Sequence, residues 1–483
     1  MRPIPVSEPA DGIQVAEAAR LLADGIVGLE LGHLSDAITR LESALAVLGL
    51  DEHGHRPDTQ QPPLHEAHAH LTARILLSVA FPRHELGQRE AALAALSDAE
   101  RLVADEPDPE VRVLIHGQRG AMFLRDGQLP TSLAELNRAV AGLTAAPLVD
   151  QSKILINRGL LHGTLGQISA AKADCARALS LAQEAGKPDL IFYATHNLGL
   201  FEFLSGDLPR ALELMPSPDE ARSDFARGVV ATDRAKVLLS AGLLSEADWS
   251  LAEACAAIAR TELVQFLAEA ELLRAEVAML AERTELARTT SHAAVDRLRS
   301  RDNHLATALG ELVQLQADAA AGVPSEELVA TADRLTRTFT GLGLPDQARL
   351  ARLIAAEHLD PAAAEARPLP SVSRSQPIEL RLHGRLVQAR LAFAHGDRQR
   401  GLRHARTGLR DLTEYQTQFG SLDLQTSSAV RAGRLAAAAI HAEIAASPTA
   451  VLAWVERARA VSGRVVAPQP PDDPETADLM TQL

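Results

Sequence analysis

Small, apolar and turn-forming positions recur in one register along residues 15–260. Gly32, Gly87, Gly127, Gly166, Gly206 and Gly242 stand 55, 40, 39, 40 and 36 residues apart. Five positions after each glycine comes a small residue: Ala37, Ala92, Ser132, Ala171, Ala211 or Ala247. Nine positions after comes an apolar one (Leu41, Leu96, Leu136, Cys175, Met215, Leu251), and twelve after comes alanine, except for Pro218. Seven before stands Gly25, Ala80, Gly120, Gly159, Gly199 or Ala235. Positions three and four apart share a helix face, so each unit reads as two antiparallel helices reversing at the glycine. The small residues before and after the turn let the two backbones approach. The apolar position and the alanine face the next pair, because one pair cannot bury its own face and stacking supplies the core. Proline at 218 should end its helix early.

This register resembles the tetratricopeptide repeat, most clearly in Asn197-Leu198-Gly199 followed by Gly206-Asp207-Leu208 and Ala211. Aromatic residues, which that family favours in the first helix, are few, and the intervals exceed its usual period. The resemblance implies an all-α superhelical solenoid of antiparallel helix pairs with a concave face lined by first helices. Beyond residue 260 the pattern loosens but predicts helices over 263–281, 285–299, 303–321, 325–340 and 345–358. Four prolines without apolar periodicity mark 359–377 as a linker or long loop. A second helical block follows, with helices at 379–395, 398–415, 422–446 and 449–463. The expected organisation is an N-terminal extension at 1–14, a repeat array at 15–358, the linker at 359–377, a C-terminal helical block at 378–465 and a proline-rich tail at 466–483.

Composition agrees with this. Hydrophobic residues make up 46% and aromatics only 3%, with Ala and Leu dominant, which favours close-packed helices over sheets. A net charge of −15 argues against a general nucleic-acid binder, although Arg381 to Arg410 forms a local basic run. Its plainer reading is a solvated helix face. Two distant cysteines, no charged start before an apolar run and no apolar stretch of about 18–20 residues predict a cytoplasmic protein without a membrane span.

Recognisable catalytic chemistry is absent from the sequence. The Gly186-Lys187 pair runs into Pro188, so it makes no phosphate loop, and no cofactor is expected. Cys175 occupies the buried apolar position of its repeat, and Cys255 adjoins Ala254 in the same pattern, so neither reads as a nucleophile. His53, His55, His65, His68 and His70, with Asp51, Asp58 and Glu66, could gather into a metal site; a polar loop entering a repeat helix is the simpler reading, and no metal is assigned.

The C-terminal helix 451–460, with Trp454, Glu456, Arg457 and Arg459, and the proline-rich run after it resemble the junction before the caspase-like CHAT domain of bacterial tetratricopeptide–CHAT proteins. There the repeats form a regulatory arm, and such a protease domain would lie beyond Leu483. The chain holds none of that domain's catalytic region, so protease activity does not transfer to it. The leading expectation is a non-enzymatic scaffold or sensing arm with a protein or peptide in its groove. Groove candidates are Arg119, Asn157, Arg158, His162, His196, Asn197, Phe201 and Arg234, where Arg119 and Arg234 occupy the position equivalent to Arg158. One alternative is a partner-sensing repeat domain of a transcriptional or signalling protein. Another is a metal-dependent enzyme at the histidine-rich insert. Partner identity and oligomeric state stay open.

Overall fold

The computed structural model describes residues 9–56, 66–104, 108–205, 207–240, 243–300, 303–367, 369–374, 376–416, 433–444 and 447–463. Among them there is no strand. Helices α1 (Pro9–Leu31), α2 (Leu34–Val47), α3 (Glu66–Glu85), α4 (Arg89–Leu102), α5 (Pro109–Arg125) and α6 (Leu129–Ala141) form three antiparallel pairs. Four more pairs follow: α7 (Leu148–Thr164) with α8 (Ile168–Glu184), α9 (Pro188–Leu204) with α10 (Leu208–Leu214), α11 (Asp224–Ser240) with α12 (Leu244–Ile258), and α13 (Val264–Leu280) with α14 (Thr284–Arg299). First helices touch first helices, and each second helix except the short α10 packs closely on the next first helix. The chain is thus an all-α solenoid of tetratricopeptide-like fold.

The turns follow from the anchor glycines. Gly127 adopts φ +71°, its N–H donates to Leu124 O (3.0 Å), and Gln128 N–H reaches back to Phe123 O (2.8 Å). Such a left-handed cap satisfies the carbonyls that a helix end leaves open. The same closure recurs at Gly32, Gly87 and Gly166. Gly206 and Gly242 lie outside the described residues. The small positions do what the register requires: a Cβ on Gly120 would sit 2.5 Å from Leu136 Cγ, and Ser132 donates its hydroxyl to Gly120 O (2.7 Å). Helix α10 stops at Leu214, ahead of Pro218.

The register extends further than its glycines. Glu282 occupies the next anchor position with φ +57°, framed by Ala275, Ala287, Ser291 and Ala294, all fully buried. Gly396 (φ +76°) repeats the pattern with Ala389, Gly401, Ala405 and Gly408.

After α14 come α15 (His304–Ala320), α16 (Ser325–Gly341), α17 (Pro345–His358) and the short α18 (Pro361–Glu365). Then follow α19 (Ile378–Ala394), α20 (Arg398–Gln416), α21 (Gly433–Ile444) and α22 (Pro448–Gly463). The helices expected over 263–358 and 379–415 end within two residues of these bounds. The first part of the helix expected at 422–446 and the tail at 466–483 fall outside the described residues. Helix α16 pairs closely with α17, and α15 packs mainly along α14.

The array also returns on itself. Glu262 N–H donates to Gly32 O (3.1 Å), and Ser35 donates its N–H (2.8 Å) and hydroxyl (2.5 Å) to the Glu262 carboxylate. Leu34 shares an apolar cluster with Ile258, Leu263 and Ala270, joined by Leu29, Leu86 and Phe266. Gly127 lies against Leu305, and Asn303 donates to Arg125 O (3.3 Å). The turns of the first three pairs therefore rest on α12, α13 and α15.

Candidate functional site

This closure turns the first helices toward a common interior. Two adjacent first helices meet there through one carboxylate. On α11, Asp233 accepts from His196 Nε2 of α9 (2.9 Å) and from Lys236 Nζ (2.6 Å). Burial works to raise the Asp233 carboxyl, but Lys236 and His196 outweigh it and hold it below its ordinary range. Lys236 is held above its usual value by Asp233 against the effect of burial, with further support from Glu269 and Glu276 on α13. His196 is 1% exposed, whereas the Lys236 side chain keeps 46% of its surface. The Lys236 side chain is thus the exposed end of a buried His–Asp–Lys chain.

A second polar knot lies where the first turns meet α13. Arg125 sits 3.9 Å over the Phe266 ring, 3.3 Å from Glu269 and 3.6 Å from the fully buried Glu85. His84 Nε2 stands 2.8 Å from Asp126, and its imidazole is raised: burial opposes charge, but Asp126 and Glu85 outweigh it. Along the N-terminal ends of α3, α5 and α7, His70 pairs with Asp108 (2.6 Å), while Arg74 bridges Glu110 (2.9 Å) and Asp150 (3.1 Å).

Counted from each anchor, the interior groups fall at minus thirteen (Glu269), minus ten (His196), minus six (Lys236, Glu276) and minus two (Glu85, Arg125). Those offsets are one face of a helix. Minus eight is a different face. Arg119 there pairs with Glu100 (2.8 Å), Arg158 forks onto Asp174 (2.7 Å twice) and reaches Asn137 (3.2 Å), and Arg274 meets Asp248 (2.9 Å). These arginines tie first helices to second helices.

The other groove candidates divide. His162 lies 2.7 Å from Gln167 and 3.8 Å from Asp174, close to Arg158. Asn157 and Arg234 are half-buried. Asn197 is buried and donates to Tyr193 O (2.9 Å) within its own helix. Phe201 corrects the expectation: at 1% exposure it belongs to a core with Ala171 and Cys175, its ring filling the space above Gly163. Of the expected set, only His196 stands with the interior face. Lys236, Arg125 and Glu269 were missed, although their offsets from the anchors were there to be counted, as was Asp233, one position from that of His196.

The interior holds no activated nucleophile of the sulfur kind. Burial pushes the Cys175 thiol to about 12 and Cys255 to about 11. The histidines of the first insert separate: His53 takes Asp98 (2.9 Å) and His70 takes Asp108, while His65 and Asp58 lie outside the described residues. Among the described residues no group of three or more His, Cys, Asp or Glu side chains could hold a metal ion. No described helix is long and apolar enough to cross a membrane. The basic run at 381–410 serves packing: Arg381 (2.7 Å) and Arg385 (3.4 Å) meet Asp411, Arg390 meets Glu357, and Arg398 (2.7 Å) meets Glu443.

No family model matches the chain, and no curated protein matches it. Solved helical-repeat structures are similar to it. A Rap protein complexed with Competence and Sporulation Factor is 10% identical, with 73% of this chain and 100% of that one covered at a TM-score of 0.47. The apo quorum sensor NprR from B. thuringiensis is 15% identical, covering 70% and 98% at 0.43. The human IFIT1 dimer with PPP-AAAA is 11% identical, covering 94% and 95% at 0.42. The likeness is one of helical-repeat architecture and says nothing of what this chain binds.

Proposed function

We propose that this chain is a non-catalytic recognition scaffold that holds a protein or peptide segment against the interior face of its first helices. The observation that supports this reading is the Lys236 ammonium, braced from below by Asp233 and His196 and open on its outer side. Such a charge, fixed by a buried partner, offers hydrogen bonds to a carboxylate or to backbone carbonyls of an extended segment. Glu85, Glu269, Glu276 and Asp233 crowd the same face, a setting that repels a phosphate backbone, so a polypeptide fits it better than a nucleic acid. Selection of a displayed peptide library tests this. Enriched peptides should bind Lys236→Gln about tenfold or more weakly, yet bind Arg138→Gln, on the outer helix α6, as they bind the parent. No enrichment, or enrichment indifferent to Lys236, overturns the reading.

The finer reading makes the array the sensing arm of a caspase-like protease system. Its support is the resemblance of the segment around Trp454, and that side chain is 2% exposed, with Arg406 and Arg457 over its ring. The proline-rich run after that helix lies outside the described residues. The intact mass of the product of the native gene decides it: well above 51.5 kDa supports an arm with a following domain, and 51.5 kDa overturns it.

A further inference from the structure

Only the first half of the basic run at 381–410 is spent on packing. Beyond Arg398, helix α20 carries Arg400, Arg403, Arg406 and Arg410, all exposed, at steps of three, three and four residues. Those steps keep to one helix face, and at about 1.5 Å per residue the stripe is about 15 Å long. Helix α22 adds the exposed Arg457 beside it: Arg406 lies 5.6 Å and Arg457 4.9 Å from the centre of the Trp454 ring. Two helices thus build one surface of five guanidinium groups.

The carboxylates around this surface are already taken. Asp411 holds Arg381 (2.7 Å) and Arg385 (3.4 Å), Glu443 holds Arg398 (2.7 Å), Glu414 holds Arg374 (3.2 Å), and Glu456 holds Arg459 (3.2 Å). Asp397 accepts from the Arg400 backbone N–H (2.9 Å) and caps α20. None of the five arginines forms an ion pair with a described residue. His404, on the same helix, is held below its ordinary value by burial and then by Arg385, Arg400 and Arg403, against an opposing pull from Asp397. On a chain of net charge −15, this face is left for the anions of a partner to neutralise. A phosphate polymer suits it less well than carboxylates do. The chain as a whole repels a long polyanion, and Trp454, at 2% exposure, offers no ring for a base to stack on. The carboxylates of an acidic helix recur at the same steps of three and four, and guanidinium forks pair with them two bonds at a time.

We propose that the Arg400–Arg410 stripe, with Arg457, docks an acidic segment of a partner polypeptide whose glutamates or aspartates line one helical face. Fluorescence anisotropy at low salt, with a labelled helical peptide bearing four glutamates at steps of three and four residues, tests this. The peptide should bind saturably, and its glutamine counterpart about tenfold or more weakly. The combined variant Arg400→Gln, Arg403→Gln and Arg410→Gln should weaken binding about tenfold or more. Arg112→Gln, Arg177→Gln and Arg337→Gln together remove the same net charge from exposed sites elsewhere and should leave binding within about twofold. No saturable binding of the glutamate peptide, or equal losses in the two variants, overturns the proposal. Tighter binding of a short DNA duplex, or of equimolar phosphatidylserine–phosphatidylcholine vesicles, through the same arginines overturns it too, because the stripe then reads phosphate.

Discussion

The hairpins α5–α6 and α15–α16 end their first helices alike, with a left-handed glycine at Gly127 and at Gly322, and diverge at the four positions counted from it. The first has Gly120, Ser132, Leu136 and Ala139, all buried. The second has Leu315 before the turn and starts its helix one residue later, after Pro324, so Leu328, Ala332 and Leu335 fill the buried positions, and an open cleft lies beside them. The turn therefore sets only the reversal of the chain. How closely the two helices then approach depends on side-chain volume at minus seven, glycine in the first and leucine in the second. Leu136→Ala removes a fully buried side chain from the closed seam and should cost about 4 kcal/mol, read as a fall in the thermal midpoint. Thr331→Ala, half-buried at the edge of the cleft in the wider hairpin, should leave the midpoint nearly unchanged. Similar losses from both would sink the comparison.

A second contrast is between seams of small residues and seams of charge. Where the first turns meet α13, Arg125 lies among Glu85, Glu269 and Phe266. Removing one member of a buried charge cluster leaves the others without compensation. Arg125→Met should therefore cost about 3 kcal/mol and enlarge the radius of gyration in small-angle scattering as the array opens. A lower midpoint at unchanged size would mean that Leu34, Ile258 and Leu263 hold the closure without it.

The fold was legible in the sequence because the hairpin register repeats small residues at fixed offsets, a pattern that few other packings need. The functional face was not. Arg158 looked like a groove residue because it precedes a packing glycine, yet its helical angle turns it onto Asp174. Asp233 and Lys236 escaped notice because charged residues on an acidic chain are common, and only the return of α1 onto α11–α13 gives them an interior to face. That return rests on contacts more than 170 residues apart, such as Arg125 with Asn303, and no local pattern encodes it.

The C-terminal block relies on buried carboxylates: Glu357, Asp411 and Glu443 each hold arginine. Burial would raise the Glu357 carboxyl, but His383, Arg434 and Arg390 outweigh it and hold it at about 2. Its ordinary value is 4.5, so its contribution is complete above that pH and is lost as pH falls toward about 2. His358 beside it is held low by burial, which adds a loss in the same direction starting nearer neutrality. The block should loosen in acid before the small-residue seams do, by on the order of 2 kcal/mol from Glu357. Two tryptophans report separately: Trp454 is 2% exposed within the block, and Trp249 is 66% exposed on α12. A red shift on acidification that survives Trp249→Phe and shrinks in Glu357→Gln is expected. A shift confined to Trp249 would place the weak point in the array.

The smallest effect tests the turn alone. Glu282 stands at an anchor position with φ +57°, while its helices pack through the same small residues as the glycine-anchored pairs. A side chain in the left-handed region costs about 1–2 kcal/mol, and glycine avoids that cost but frees the unfolded chain by about 0.4–1 kcal/mol. Glu282→Gly should therefore raise the thermal midpoint slightly, by about 0.5 kcal/mol. Glu282→Ala keeps the strained backbone and should not. The cap itself, Arg283 N–H to Ala278 O at 2.8 Å, uses no side chain and should persist in both variants. A lower midpoint in the glycine variant would show that the Glu282 side chain holds its turn, and that this hairpin closes by a device its neighbours lack.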